Sequence, residues 1–263
     1  MRGADNHNTR AAPWWRDFHD DLLAQILLER DDPGALEATL DFIEAQLGVE
    51  AGAHLFDQCC GIGSLALPLA ARGYRVSGVD QAANYIDRAR TDARARPELA
   101  LSYAAADAGE HRPEAPVDGA FNWWPSFGYA DRDEDNARML AAAFASLRPG
   151  AVFLLDTMNA AGVLRRFQPH VVTRRPIDGG ELILARESTI DLKGGAILKR
   201  WTYFLPDGRR VEHRSRVRLY QPHELVRLLR GVGFVDVDLL GGIAGEPLDL
   251  DTLRCICRAR RPV

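Results

Sequence analysis

The stretch "LFDQCCGIGSLALPLAARGYRVSGVD", from Leu55 to Asp80, constrains the fold more than any other part of the chain. An apolar run ends in a glycine-rich turn, a helix-like segment follows, and a second apolar run ends in an acid. Gly61 and Gly63 let a ligand approach the backbone closely and leave free N–H groups at a helix N-terminus. An acid at the tip of the next strand accepts hydrogen bonds from a ribose diol. That acid is Asp80, 17 residues after Gly63. A lone Gly-x-Gly carries little. In the order strand, loop, helix, strand, acid, it points to an adenosine-containing cofactor.

The rest of the chain supports an alternating α/β reading. Trp14 to Leu47 has a helical pattern, broken at Asp32-Pro33-Gly34. Strands are expected at 54–60, 75–80, 101–107, 117–124 and 151–158, with helices at 64–71, 84–94 and 133–147 between them. Alternation of this kind implies right-handed βαβ units and a parallel sheet. From about Val171 to Tyr220 the rhythm changes to strands without helices, punctuated by Lys193-Gly194-Gly195 and Pro206-Asp207-Gly208. This reads as an inserted antiparallel β-sheet. A helix after Pro222 and two strands, "VDVDLLG" and "LRCICRAR", close the chain. The expected units are a helical lid over 1–48, an α/β core over 49–160 and 221–263, and a β-rich insert over 161–220 serving as a cap or a homodimer contact.

Charge and cysteine usage narrow the function classes. The formal net charge is −4, so nucleic acid is not an expected partner. No apolar run approaches the roughly 20 residues that span a bilayer, and the N-terminus lacks a signal-like apolar region, so no membrane partner and a cytoplasmic location are expected. Cys59, Cys60, Cys255 and Cys257 form no Cys-x-x-Cys pair and have no histidine at zinc-like spacing. They read as small packing residues, and no metal site is expected.

Two cofactor classes compete for the loop. Gly61-Ile62-Gly63-Ser64-Leu65-Ala66 fits the dinucleotide pattern G-x-G-x-x-A. Asp57 argues against it, because a carboxylate just before the loop repels a pyrophosphate but attracts a sulfonium or an ammonium. A second nucleotide-binding half is also missing. The stretch "DQCCGIG", with Asp80 beyond it, resembles the core of the class I S-adenosylmethionine (SAM)-dependent methyltransferases, whose usual pattern is D-x-G-x-G-x-G. Asp57, Gly61 and Gly63 match, and Cys59 stands where the first glycine would be. The similarity extends over roughly residues 35–160 and 220–260, including "LRPGAVFLLDTMN" and "ELVRLLRGVGFVDV".

The resemblance implies a Rossmann-like seven-stranded, mostly parallel sheet with its last strand antiparallel. It implies SAM as cofactor, held by Asp57, Cys59, Gly61, Gly63, Asp80, Gln81, Asp107 and Asn122. An acceptor pocket would start at "NWWPSFGYAD", with Trp124, Phe127 and Tyr129, and be covered by Trp14, Trp15 and Phe18. Asp17, Asp20 and Asp21 of the lid could face a basic substrate. Arg218, on the strand face shared with Glu212, Arg214, Arg216 and Tyr220, is a further pocket candidate. For a general base, His213 is chosen over His111, His170 and Tyr129. The expected reaction is methyl transfer to a small molecule, with an amine nitrogen of a specialised metabolite ahead of an oxygen. RNA methylation, an NAD(P) oxidoreductase and a SAM-binding protein that does not methylate, such as a non-redox cyclase, are the alternatives.

Overall fold

The computed structural model describes residues 14–29 and 32–263. Residues 1–13 of the expected lid, and the Asp17 side chain, lie outside the described residues.

The core sheet has seven strands in the order β10-β11-β5-β4-β1-β2-β3. β1 (His54–Gln58), β2 (Arg75–Asp80), β3 (Leu101–Ala105), β4 (Val117–Asn122) and β5 (Leu147–Met158) run parallel. β11 (Arg254–Arg260) is antiparallel to β5 and to β10 (Val235–Leu240). The expected seven-stranded sheet with an antiparallel last strand is therefore present. β1 is buried at every position, as a strand covered on both faces must be. On one face, Leu40, Ile43 and Leu47 of α3 (Pro33–Leu47) and Leu65 and Leu69 beside α4 (Ala66–Ala71) pack against Leu55, Val76 and Leu154. On the other, Leu140 of α6 (Asp133–Ser146) and Leu225 and Leu229 of α8 (Pro222–Val232) pack against Phe56 and Phe153.

The N-terminal segment is not one continuous helix. α1 (Trp15–Phe18) stops at His19, and α2 (Asp21–Leu23) restarts under an Asp20 cap whose Oδ1 accepts from the Leu23 N–H at 2.9 Å. The next turn, Ala24–Leu28, is a π-type turn. Asp competes for backbone N–H groups and favours helix starts over interiors, which explains the break at Asp20. β5 also begins earlier than expected, because Leu147 pairs with Val117 before the Pro149-Gly150 turn is passed.

The insert follows α7 (Ala160–Arg165), a short helix absent from the sequence reading. It is a four-stranded antiparallel sheet in the order β6-β7-β8-β9: His170–Ile177, Gly180–Asp191, Ala196–Phe204 and Arg210–Arg218. Its inner face carries Leu182, Leu184, Trp201 and Tyr203, which enclose Phe18, Leu23 and Ile26 of the N-terminal segment. Full burial of one such side chain contributes about 1.5–3 kcal/mol, so the N-terminal segment and the insert hold together as one layer. This layer lies over the carboxyl ends of the core strands.

Candidate active site

The loop after β1 runs in the left-handed region at three residues: Cys59 (φ 65°), Gly61 (54°) and Gly63 (80°). A Cβ on Gly63 would also lie 2.7 Å from the Tyr103 hydroxyl oxygen, so glycine is required there by space as well as by backbone. Cys59 tolerates a conformation that costs a side-chain-bearing residue about 1–2 kcal/mol. Its Sγ lies 3.6 Å from Asn122 Nδ2, and that amide also donates to Gln58 Oε1 at 3.2 Å. Gln58 in turn donates to the Ala108 and Met139 carbonyls at 2.9 and 3.0 Å. This network braces the loop from beneath. Burial pushes both the Cys59 and Cys60 thiols well up, aided by the Asp57 and Asp80 charges. Both stay neutral, so their role in the loop is packing.

Asp80 closes β2 and is almost fully buried. Its Oδ2 accepts from the Gly61 N–H and its Oδ1 from the Ala82 N–H, each at 2.9 Å. Each oxygen retains a lone pair for a ligand hydroxyl. Burial raises the Asp80 pKa, opposed by the Ala82 N–H, by His19 and by the Gly61 N–H. Asp57 is 3% exposed, and burial followed by repulsion from Asp80 pushes its pKa well up. Two adjacent buried carboxyls short of positive charge suit a cationic ligand and disfavour a pyrophosphate.

Two joined cavities open at the carboxyl edge of the sheet, of about 490 and about 320 Å³. The larger is lined by Asp80, Gln81, Asp107 and Gly109, with Trp15 above. Asp107 caps its own turn through Oδ1, which accepts from the Gly109 N–H at 2.7 Å. The smaller cavity lies against Cys59 and Gly61 on one side and the insert on the other. Trp14, His19, Cys59, Asp80, Ser126 and Tyr129 line both. Trp14 packs on Tyr129 with ring centroids 4.8 Å apart and meets Phe18 edge-on at 5.2 Å. Trp124 lines the smaller cavity, with its backbone N–H on Asp156 Oδ2 at 3.1 Å.

Other sequence-derived candidates lie off the cleft. Asp57 and Asn122 sit beneath the loop and Gly63 lies within it; none of them lines either cavity, although the Asn122 Oδ1 is buried without a partner. Phe127 is fully buried against Tyr220, at 5.3 Å between rings, and packs the core. His213 lines neither cavity. Its Nε2 meets Asp20 Oδ2 at 2.8 Å, and its ring packs on Phe18 and Tyr203, so it fastens the N-terminal segment to the insert. His111 and His170 are also off the cleft. Asp20 is thus committed to His213 and a helix cap, and Asp21 Oδ1 accepts from Asn84 Nδ2 at 3.3 Å.

Arg218 points away from the cleft. It pairs with Asp133 at 3.4 Å and Glu224 at 3.6 Å and lies over the Tyr220 ring. The reason is strand alternation. Ser215 and Val217 face the cavity, so Arg214, Arg216 and Arg218 face the other way.

The cleft instead receives residues that the sequence reading passed over: His19, Tyr85, Met158, Arg186, Lys199 and Trp201. A signal for two of them was present. Arg186 shares a strand face with Leu182 and Leu184, and Lys199 shares one with Ile197, Trp201 and Tyr203. Each cation interrupts the apolar alternation of the inner face.

The sheet order and the acid-tipped strands around this cleft match the class I SAM-dependent methyltransferase fold. Residues 55–150 match the family model described as a methyltransferase domain. A solved structure, the CcbJ methyltransferase from Streptomyces caelestis, superposes with a TM-score of 0.78 at 18% identity, covering 93% of this chain and 98% of that one. SAM-bound CalS10, an amino pentose methyltransferase from Micromonospora echinaspora, gives 0.67 at 18% identity, covering 87% and 90%. In sequence, the S-adenosyl-L-methionine-dependent Diels-Alderase iccD of Talaromyces variabilis is 34% identical over 113 residues. That match spans 41% of this chain and 37% of the length of iccD. Residues 55–150 thus carry a methyltransferase domain, on a fold shared with SAM-dependent methyltransferases, and the cofactor this domain implies is SAM.

The buried acids are expected to make cofactor binding pH-dependent. Asp57 has a raised pKa in the folded chain, so its protonated form prevails to higher pH than in an unfolded chain. A bound sulfonium and ammonium favour the ionised form. SAM binding is therefore expected to release a proton and to tighten as pH rises above the ordinary carboxylate range. Calorimetry in buffers of different ionisation enthalpy measures that proton, and Asp57→Asn should flatten the slope.

Proposed function

We propose that the protein transfers the SAM methyl group to a small-molecule acceptor, with an amine nitrogen as the acceptor atom. The observation that carries this reading is the pair of joined cavities. One meets the acids Asp80 and Asp107, and the other, of about 320 Å³, is walled by the insert and the N-terminal segment. A cavity of that size suits a small molecule.

When bound, SAM supplies a methyl group on a positively charged sulfur, ready for in-line displacement. The chain contributes alignment, exclusion of water and proton removal. Trp14, Tyr129 and Trp124 offer ring faces to a cationic neighbour. Arg186 and Lys199 place positive charge in the acceptor cavity. That field disfavours an ammonium and holds an amine as its nucleophilic free base. His19 is the base in this reading. Its Nδ1 lies 2.8 Å from the Trp15 carbonyl oxygen, which can only accept, so Nδ1 carries the hydrogen and Nε2 is left with the lone pair. Nε2 would take the proton that leaves the methylated nitrogen. The amine choice is also supported by the name of CalS10, an amino pentose methyltransferase.

A second reading is favoured by iccD, which is named a Diels-Alderase that depends on SAM. In that case the cationic cofactor would polarise a substrate without losing its methyl. The experiment that separates them incubates the protein with SAM and panels of amino sugars, aryl amines, phenols and polyenes. S-adenosylhomocysteine (SAH) formed in step with methylated amine is the expected result. Methylation confined to phenols would move the reaction to oxygen. Conversion of a polyene with SAM left intact would replace methyl transfer by the cyclase reading.

A further inference from the structure

We propose that Arg186 and Lys199 form an anion seat, and that the molecule taken into the smaller cavity carries a carboxylate. This deepens the methyl-transfer reading and rests on that cavity being the acceptor site.

The seat is built by strand register. Arg186 of β7 stands opposite Trp201 of β8, while Lys199 lies between Ser188 of β7 and Ser215 of β9. All lie on the inner face of the insert. The Arg186 guanidinium and the Lys199 ammonium both lie over the Trp201 ring, at 5.4 and 5.6 Å from its centroid. Trp201 is fixed in turn, since its Nε1 donates to Ser215 Oγ at 2.8 Å.

Neither cation is neutralised. Most arginines of the insert pair with an acid, as Arg174 does with Glu181, Arg200 with Glu187 and Arg218 with Glu224. Among the described residues, Arg186 and Lys199 have no such pairing, and the Arg186 Nε is buried with no hydrogen-bond partner. Asp80 is the one carboxylate among the described residues lining this cavity, and it is engaged by the Gly61 and Ala82 amides. Burial, and then repulsion from Arg186, pushes the Lys199 pKa down to about 8. Two adjacent cations held half out of water are unfavourable unless an anion joins them. A sulfonium in the same cleft adds a third positive charge. A carboxylate resolves the imbalance, and Arg with Lys supplies the donors for it.

The carboxylate could come from the substrate or from the cofactor's own methionine part. Position favours the substrate. Arg186 and Lys199 line only the cavity that excludes Gln81 and Asp107. The test uses the full chain saturated with SAH, so it needs no methyl transfer. Calorimetry compares indole-3-carboxylate with indole-3-carboxamide at pH 7. The acid is expected to bind at least about tenfold more tightly, the scale of one charge-assisted hydrogen bond. Arg186→Gln and Lys199→Gln should each erase most of that preference and leave SAH affinity within about twofold. Arg186→Lys should retain part of it.

Equal binding of acid and amide, or no binding of either, overturns the seat. So does a tenfold or greater fall in SAH affinity in both variants, which would assign the pair to the cofactor. Thermal melts show which variants fold. Should Arg186→Gln fail to fold, Lys199→Gln decides the question alone. A chain that shows the acid preference but forms no SAH from SAM would sink methyl transfer and leave the seat standing.

Discussion

Asp80→Asn is expected to weaken SAM binding by at least about 100-fold, measured by calorimetry. The substitution keeps the shape and removes three things. The carboxylate now latches the Gly61 and Ala82 N–H groups at 2.9 Å each, and an amide cannot accept with both of its arms. One of those N–H groups would face a donor. The ribose loses a charged acceptor, and the sulfonium and ammonium lose a nearby negative charge. Two hydrogen bonds to a charged group, at about 1.5–3 kcal/mol each, already reach the predicted loss. Stability should move far less. Asp80 is ionised only against its own burial, so removing the charge offsets part of what the loop bonds lose. A SAM affinity within fivefold of the parent would dismiss Asp80 as the cofactor's anchor.

His19→Gln is expected to lower kcat about 100-fold while SAM affinity stays within about threefold, the range for a positioned proton acceptor. His19 sits where both cavities meet, stacked on Tyr129 at 5.9 Å and braced through Nδ1 by the Trp15 carbonyl. Glutamine can reproduce a hydrogen bond at that place, but it cannot take a proton. The contrast with His213 is informative. His213→Gln should preserve kcat and reduce thermal stability, because its partner is the Asp20 cap and not the cleft. A fall in kcat of less than fivefold for His19→Gln would leave the reaction to alignment and to the cationic field.

The core was legible because each of its elements is encoded locally. The strand His54–Gln58 has no exposed position, the glycines sit at positive φ, and Asp80 ends a strand, so local pattern and final geometry agree. The acceptor side was less legible. It is a wall made by non-local pairing, where Arg186 meets Trp201 and Lys199 meets Ser215 only after the strands have found their register. The sequence reading correctly alternated Arg214, Arg216 and Arg218 on one face of β9, but it lacked the packing that says which face looks inward. Ser215 and Val217, on the opposite face, were the side chains that faced the cavity. His19 was hidden for another reason. It falls at the break between α1 and α2, which a periodic helical pattern conceals.

The shared layer formed by Phe18, Leu23 and Ile26 with Leu182, Leu184, Trp201 and Tyr203 sets the terms for transplanting acceptor choice between relatives. The insert is contiguous in the chain, entering after α7 and leaving at Arg218, which invites exchange as a cassette. Moved alone, it would carry an inner face tailored to a foreign N-terminal segment. The unit that must travel is therefore split, with one piece before the nucleotide loop and one far behind it. A chimera that swaps both pieces keeps the hydrophobic seam matched, whereas one that swaps only the sheet trades specificity for a mismatched joint.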